Sequence, residues 1–179
     1  MLKNVFKRLS QSRAAAPPEV PPPAMRARQM VHAPVMGNNG EKTRVLFVCI
    51  GNSCRSPIAL GFARKYGADV MVSESAGVYP INRVDPASIR IMQERNIDIS
   101  DAYPKGLEDV NVNSFDWIIN MSGQRLQSAK GRVEDWVVPD PITKGDEDFR
   151  STADLLEQLV MRLILQLRLR NHPALVASR

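Results

Sequence analysis

Val45-Leu46-Phe47-Val48 is a short, unbroken apolar run that passes straight into Cys49-Ile50-Gly51-Asn52-Ser53-Cys54-Arg55-Ser56-Pro57. A strand that is apolar at every position has no solvent face. It belongs inside a sheet covered on both sides, which is the situation of parallel sheets. After Pro57 the period changes. Ile58, Ala59, Phe62, Ala63 and Tyr66 recur at helical spacing and end near Gly67, with Ser56 suited to cap the helix and Pro57 to its first turn. Strand, polar loop and helix in direct succession restrict the chain to α/β architectures.

The remaining elements fit that restriction. Val70-Met71-Val72 reads as a second strand, and Asp85-Pro86 opens a helix with Ile89 and Met92 inward. Phe115-Asp116-Trp117-Ile118-Ile119 reads as a third strand and Trp136-Val137-Val138 as a fourth. Phe149, Ala153, Leu156, Val160, Leu163 and Leu167 repeat at spacings of three and four and predict a long amphipathic helix. Asp146, Glu147 and Asp148 suit its positive end, Arg168 and Arg170 its negative end, and Asn171 and Pro173 stop it. The expected fold is an α/β domain: a four-stranded parallel sheet flanked by helices on both faces, spanning 43–171, with 172–179 as a tail.

Residues 1–42 read differently. Pro17, Pro18, Pro21, Pro22 and Pro23, followed by Gly37-Asn38-Asn39-Gly40, mark an extended linker that cannot pack a core. Leu2, Val5, Phe6 and Leu9 share a helical face beside Lys3, Lys7 and Arg8, so this leader is either a solvated tail or a weak membrane or partner contact. Residues 1–44 hold eight Lys/Arg and two acids, a net +6, while the rest is at −1, which together give the chain its +5. The basicity therefore sits in the leader and argues against nucleic acid as a partner of the folded body. The chain has only two cysteines, Cys49 and Cys54, and its histidines are His32 and His172. That excludes a zinc module, a multi-disulfide framework and a histidine-based nucleophile pair at the core. Neither metal nor cofactor is expected. The lack of a secretory h-region and the free thiols suit a reducing cytoplasm.

The chemistry lies in the loop from Cys49 to Ser56. At the carboxyl edge of a parallel strand, where ligands bind, Gly51 and Asn52 tolerate the left-handed backbone that turns successive N–H groups inward. Inward amides and a helix N-terminus cradle a tetrahedral oxyanion. Arg55 adds a planar fork for two of its oxygens. Cys49, at the mouth of this positive cradle, is expected to ionise below the free-thiol value and to attack phosphorus. An ATP-binding loop does not fit, because no Gly-Lys-Ser/Thr follows the glycine.

With its preceding apolar strand, its Gly-Asn, its second cysteine and its Ser-Pro, this Cys-x5-Arg stretch resembles the low-molecular-weight protein tyrosine phosphatase family, whose fold arsenate reductases share. Ser73-Glu74-Ser75-Ala76-Gly77 resembles the family's second strand and Ser-Ala-Gly turn, and Asp140-Pro141 stands where the family keeps its general acid. The resemblance spans about residues 43–168. It implies a flavodoxin-like strand order 2-1-3-4. It implies Cys49, Arg55 and Asp140 as catalytic residues, and Ile50, Gly51, Asn52, Ser53, Cys54, Arg55 and Ser56 as the phosphate-binding loop. Within that loop Asn52 would hold the shape and Ser56 would donate to the Cys49 sulfur. Pro141 would restrict the backbone presenting Asp140, with Asp146 and Asp148 as the next candidates for the acid. Tyr79 would be an aromatic wall or a plain surface residue, and Ile142 stands where the tyrosine phosphatases carry an aromatic. A histidine that supports the loop in the family is replaced near Ala102. Cys54 could be core filler or could trap oxidised Cys49 as a disulfide.

The reaction implied is hydrolysis of phosphate monoesters through a phosphocysteine, on a phosphorylated protein, foremost phosphotyrosine, or on a small aryl phosphate. Arsenate has the shape of phosphate, so a reductase using an external thiol is the alternative. The internal disulfide relay of thioredoxin-coupled reductases is missing, since residues 121–130 contain no cysteine. A non-catalytic phospho-ligand-binding module is a further alternative.

Overall fold

The computed structural model describes residues 41–126 and 130–171. Apart from Glu41 and Lys42, which are exposed and outside regular structure, the leader lies outside the described residues. So do the 172–179 tail and Pro173.

Four parallel strands form one sheet: β1 (Thr43–Cys49), β2 (Met71–Gly77), β3 (Trp117–Asn120) and β4 (Arg132–Asp135), in the order β2-β1-β3-β4. Val45, Leu46, Phe47 and Val48 of central β1 have no exposed surface, as its unbroken apolar run requires. Cys49 pairs with Gly77 at the carboxyl ends of β1 and β2.

The helices are α1 (Arg55–Tyr66), α2 (Pro86–Gln93) and α3 (Asp146–Asn171). All three share a core with Val45, Phe47 and Cys49, through residues such as Phe62, Met92, Leu156 and Ile164. The other face of the sheet, with Leu46, Val48, Ala76 and Ile118, is covered by Phe115 and by Leu107, Val110 and Val112. These last lie in and around two short 3₁₀ turns, Leu107–Asp109 and Val112–Ser114. Both faces thus carry helical segments, but of different kinds.

Several boundaries depart from the sequence reading: the second strand runs Met71–Gly77 rather than Val70–Val72, and the third Trp117–Asn120 rather than Phe115–Ile119. The fourth strand is Arg132–Asp135, not Trp136–Val138. As an edge strand it is charged and largely exposed, so it carries no apolar run to find. Trp136 and Val138 are buried while Val137 between them is exposed, so after leaving the sheet the chain turns alternate side chains into the core, with the Trp136 ring 6.1 Å from that of Phe47. Ser56 does not cap α1 either. The capping position belongs to Cys54, which makes no side-chain cap, while the Ser56 hydroxyl turns toward the Cys49 sulfur.

Helix α2 starts as its sequence predicts, Asp85 accepting from the Ala87 amide (2.8 Å) with Pro86 in the first turn. Of its inward residues Met92 is fully buried and Ile89 half-buried, and Ile91 joins them in the core. The apolar stripe of α3 is buried along its length. Arg90–Asp146, Arg95–Asp154 and Arg150–Glu94 tie α2 to α3, and Arg170 reaches Thr43 Oγ1 (2.7 Å) at the far end of the sheet. Among the described residues no helix is long and apolar enough to cross a membrane.

Candidate active site

Every residue of the loop from Gly51 to Ser56 is buried. Its carbonyls are spoken for from outside. Those of Cys49, Ile50, Gly51 and Ser53 accept the amides of Val78 (3.0 Å), Tyr79 (2.8 Å), Ile81 (3.1 Å) and Asp85 (3.0 Å), and that of Cys54 accepts the amide of Ile58 (3.0 Å). Among the described residues, the amides from Ile50 to Cys54 donate to no protein group. With the free first-turn amides of α1 they form the donor-lined cradle of an oxyanion site. The left-handed residue is Asn52 alone (φ 50°); Gly51 does not have a positive φ, and a Cβ there would meet only Ile81 at ordinary contact distance.

Asn52 is tied on three sides. Its Nδ2 donates to Ser56 Oγ (2.9 Å) and to Ser75 Oγ (3.0 Å), and its Oδ1 accepts the Lys105 amide (3.0 Å). The Lys105 backbone thus supports the loop from outside it. Ser56 Oγ lies 3.0 Å from Cys49 Sγ and 3.4 Å from the Ala76 carbonyl. Because Ser56 already accepts from Asn52, its single proton goes to one of these two. A thiolate draws it, which stabilises the anion.

Gly77 explains the Ser-Ala-Gly turn. A Cβ there would sit 2.8 Å from both the Asn52 nitrogen and the Ile50 oxygen, so β2 passes directly beneath the loop. Gly77→Ala is expected to lower stability by about 1–3 kcal/mol through overpacking against backbone and to weaken oxyanion binding at the same time. Thermal unfolding and competitive inhibition by inorganic phosphate check the two effects.

Arg55 is buried and held by acceptors. Its Nη1 donates to the carbonyls of Met121 (2.9 Å) and Val138 (3.3 Å), and its Nη2 pairs with Asp140 Oδ2. Nε is buried without a protein partner. The guanidinium is therefore fixed on one edge and keeps a donor for a ligand. Asp140 Oδ1 accepts the Ile142 amide (3.1 Å), a turn around buried Pro141 that presents the half-exposed carboxylate to the loop. Asp146 lies instead in the first turn of α3, paired with Arg90 (2.6 Å), and Asp148 is exposed there.

Both cysteines are free. Burial pushes the Cys54 thiol up to about 12, and the negative charges of Asp85, Cys49 and Asp140 add to this against the opposing Ser88 hydroxyl. Cys54 is a buried thiol within the loop, and its burial disfavours the thiolate. Tyr79 is well exposed, anchored through its amide to Ile50. Ile142 is half-exposed next to Asp140, and Ile81, which the sequence did not single out, packs over Gly51. The segment 78–85 thus flanks the loop as a wall, held to it by hydrogen bonds. A cleft of about 450 Å³ adjoins Arg55 on the other side, lined by Met121, Ser122, Trp136, Val137 and Val138 among others.

The carboxyl-edge loop, the fixed arginine and the facing carboxylate define a cysteine-dependent oxyanion enzyme scaffold. The family model for low-molecular-weight phosphotyrosine protein phosphatase matches residues 44–172, and the chain belongs to that family. It is 34% identical over 129 residues to a glutaredoxin arsenate reductase of Synechocystis sp., covering 69% of this chain and 98% of that protein. To a probable low-molecular-weight protein tyrosine phosphatase of Ralstonia nicotianae it is 32% identical over 142 residues, covering 69% and 95%. Among solved structures, an arsenate reductase in its phosphate-binding state matches with a TM-score of 0.66 at 33% identity, covering 70% of this chain and 98% of that one.

Proposed function

We propose that this protein hydrolyses phosphate monoesters, foremost phosphotyrosine in proteins and small aryl phosphates, through a phosphocysteine on Cys49. One observation carries the reading: a single buried loop holds the Cys49 sulfur against Ser56, amides without protein partners, and Arg55 with an unpartnered Nε, and that arginine pairs with Asp140. The Cys49 thiolate attacks phosphorus and the ester P–O bond breaks. Asp140 gives its proton to the departing phenolate. Water then attacks the phosphocysteine, Asp140 takes a proton from that water, and the P–S bond breaks with Ser56 donating to the leaving sulfur. The loop amides and Arg55 follow the equatorial charge through both steps. Exposed Tyr79, Ile81 and Ile142 supply an apolar rim for an aromatic ring. A reducing cytoplasm suits the free thiol.

The similarity to proteins named arsenate reductases favours a second reading, in which Cys49 bonds to arsenic and an external thiol supplies the electrons. The chain has no cysteine other than Cys49 and Cys54 for an internal relay. Purified protein given a series of aryl phosphates, and separately arsenate with small thiols or dithiol proteins, distinguishes the two. Ester hydrolysis is expected. Asp140→Asn should slow esters of high leaving-group pKa by about 10²–10³-fold and spare those of low pKa, because only the former need the proton in the transition state. A uniform defect would leave Asp140 a structural role, and arsenate turnover above that of every ester would establish the reductase.

A further inference from the structure

A charged pair outside the loop is joined to the Cys49 sulfur by a chain of contacts. Lys105 Nζ donates to Glu74 Oε2 (2.6 Å), with the lysine side chain 16% exposed and the glutamate 35%. The Lys105 carbonyl accepts the Gly77 amide (2.8 Å), so residue 105 is fixed against the carboxyl end of β2, an edge of the sheet. The Lys105 amide donates to Asn52 Oδ1 (3.0 Å), Asn52 Nδ2 donates to Ser56 Oγ (2.9 Å), and Ser56 Oγ touches Cys49 Sγ (3.0 Å). Asn52 is the one loop residue in a left-handed conformation, so its side-chain partners decide whether that backbone is kept.

We propose that Glu74 and Lys105 are positioning residues for the nucleophile, locking Asn52, and through it Ser56, in the geometry that serves Cys49. The proposal rests on Cys49 and its loop being the reactive site. The pair clamps the outer segment 104–106 onto β2, and the main chain of that segment supplies the donor to Asn52. The pair is partly buried, and its role is to fix the position of residue 105. Loss of the clamp lets residue 105 drift, and a shift of a fraction of an ångström at Asn52 is passed directly to Ser56. The buried ties of Asn52 to Ser75 keep the loop folded without the pair, so the effect falls on geometry.

The test uses the full chain with Lys105→Met, Glu74→Gln, the double variant and Lys105→Arg. Turnover of 4-nitrophenyl phosphate, competitive inhibition by inorganic phosphate, alkylation of Cys49 by iodoacetamide and thermal unfolding are measured for each. The two single variants should each lose about tenfold in kcat, with a smaller rise in KM. Both should bind phosphate more weakly and alkylate more slowly, with unfolding temperatures close to wild type. The double variant should be no worse than either single one, since the pair acts as a unit. Lys105→Arg should restore all readouts. Unchanged phosphate inhibition and alkylation in both single variants would overturn the proposal, as would fully additive losses. Phosphate binding and alkylation report on the loop whatever reaction it serves. A wild-type protein that binds phosphate yet hydrolyses no ester would therefore refute the phosphatase reading and leave the positioning role standing.

Discussion

Replacing Cys49 by serine should leave a protein that binds phosphate and turns over nothing. The variant removes the nucleophile and little else. The free loop amides, the fixed guanidinium of Arg55 and the Asn52–Ser56 contact all lie outside the substituted atom. A serine hydroxyl in this 2%-exposed position has no general base in contact with it other than another hydroxyl, so it stays protonated and inert. The loss in kcat should exceed about 10⁴-fold, because the covalent route is gone and only the cradle remains. Inorganic phosphate should still protect the variant against thermal unfolding. Iodoacetamide should label the native wild type once and the variant not at all, since Cys54 is buried and neutral with its thiol pushed up to about 12. Turnover within tenfold of wild type in Cys49→Ser would refute covalent catalysis at this sulfur.

Arg55→Lys should come second in severity, at about 10³-fold in kcat/KM, the scale of losing a central oxyanion donor. The charge is kept, so charge alone is not what the substitution tests. Arg55 meets two carbonyls with Nη1 and Asp140 with Nη2 while Nε stays free, and one planar group makes all of these at once. An ammonium that reaches the oxyanion abandons the Met121 and Val138 carbonyls. One that satisfies the carbonyls does not reach the oxyanion. Stability should also fall, by about 1–3 kcal/mol for the buried acceptors left without a donor. Steady-state kinetics and phosphate inhibition read the first effect and thermal unfolding the second. Wild-type kinetics in Arg55→Lys would show that the guanidinium geometry is irrelevant and the site lies elsewhere.

The order of the elements was legible in the sequence because the central strand and the long helix carry patterns that only burial produces. Val45 to Val48 has to be interior, and the stripe from Phe149 to Leu167 has to face a core. The edge strand was not legible. Arg132–Asp135 is held by backbone pairing to β3 and has no apolar signature, whereas the neighbouring Trp136–Val138 has one without being a strand. The same division runs through the site. Cys49, Asn52, Arg55 and Ser56 announce themselves by type and spacing. The partners that hold them are mostly main-chain atoms: the carbonyls of Met121 and Val138, the amide of Lys105, the amides of the wall. Every residue carries such groups, so no letter of the sequence marks the ones in use. Ser56 at the start of α1 is suited by position to cap the helix or to meet the sulfur, and the nearby Cys49 decides between the two.

The four amides of Val78, Tyr79, Ile81 and Asp85 that hold the loop carbonyls also constrain how such a protein can evolve. The segment 78–85 and the Cys49–Ser56 loop are one hydrogen-bonded piece. A residue gained or lost between positions 78 and 85 would put several of these bonds out of step together and disturb the cradle behind them. On this reading, the surface can vary without disturbing the loop by exchanging exposed side chains such as Tyr79 at constant spacing. Diversification of this surface is therefore a matter of substitution rather than of length, and a wall transplanted from a relative carries its specificity with it only when it has the same number of residues.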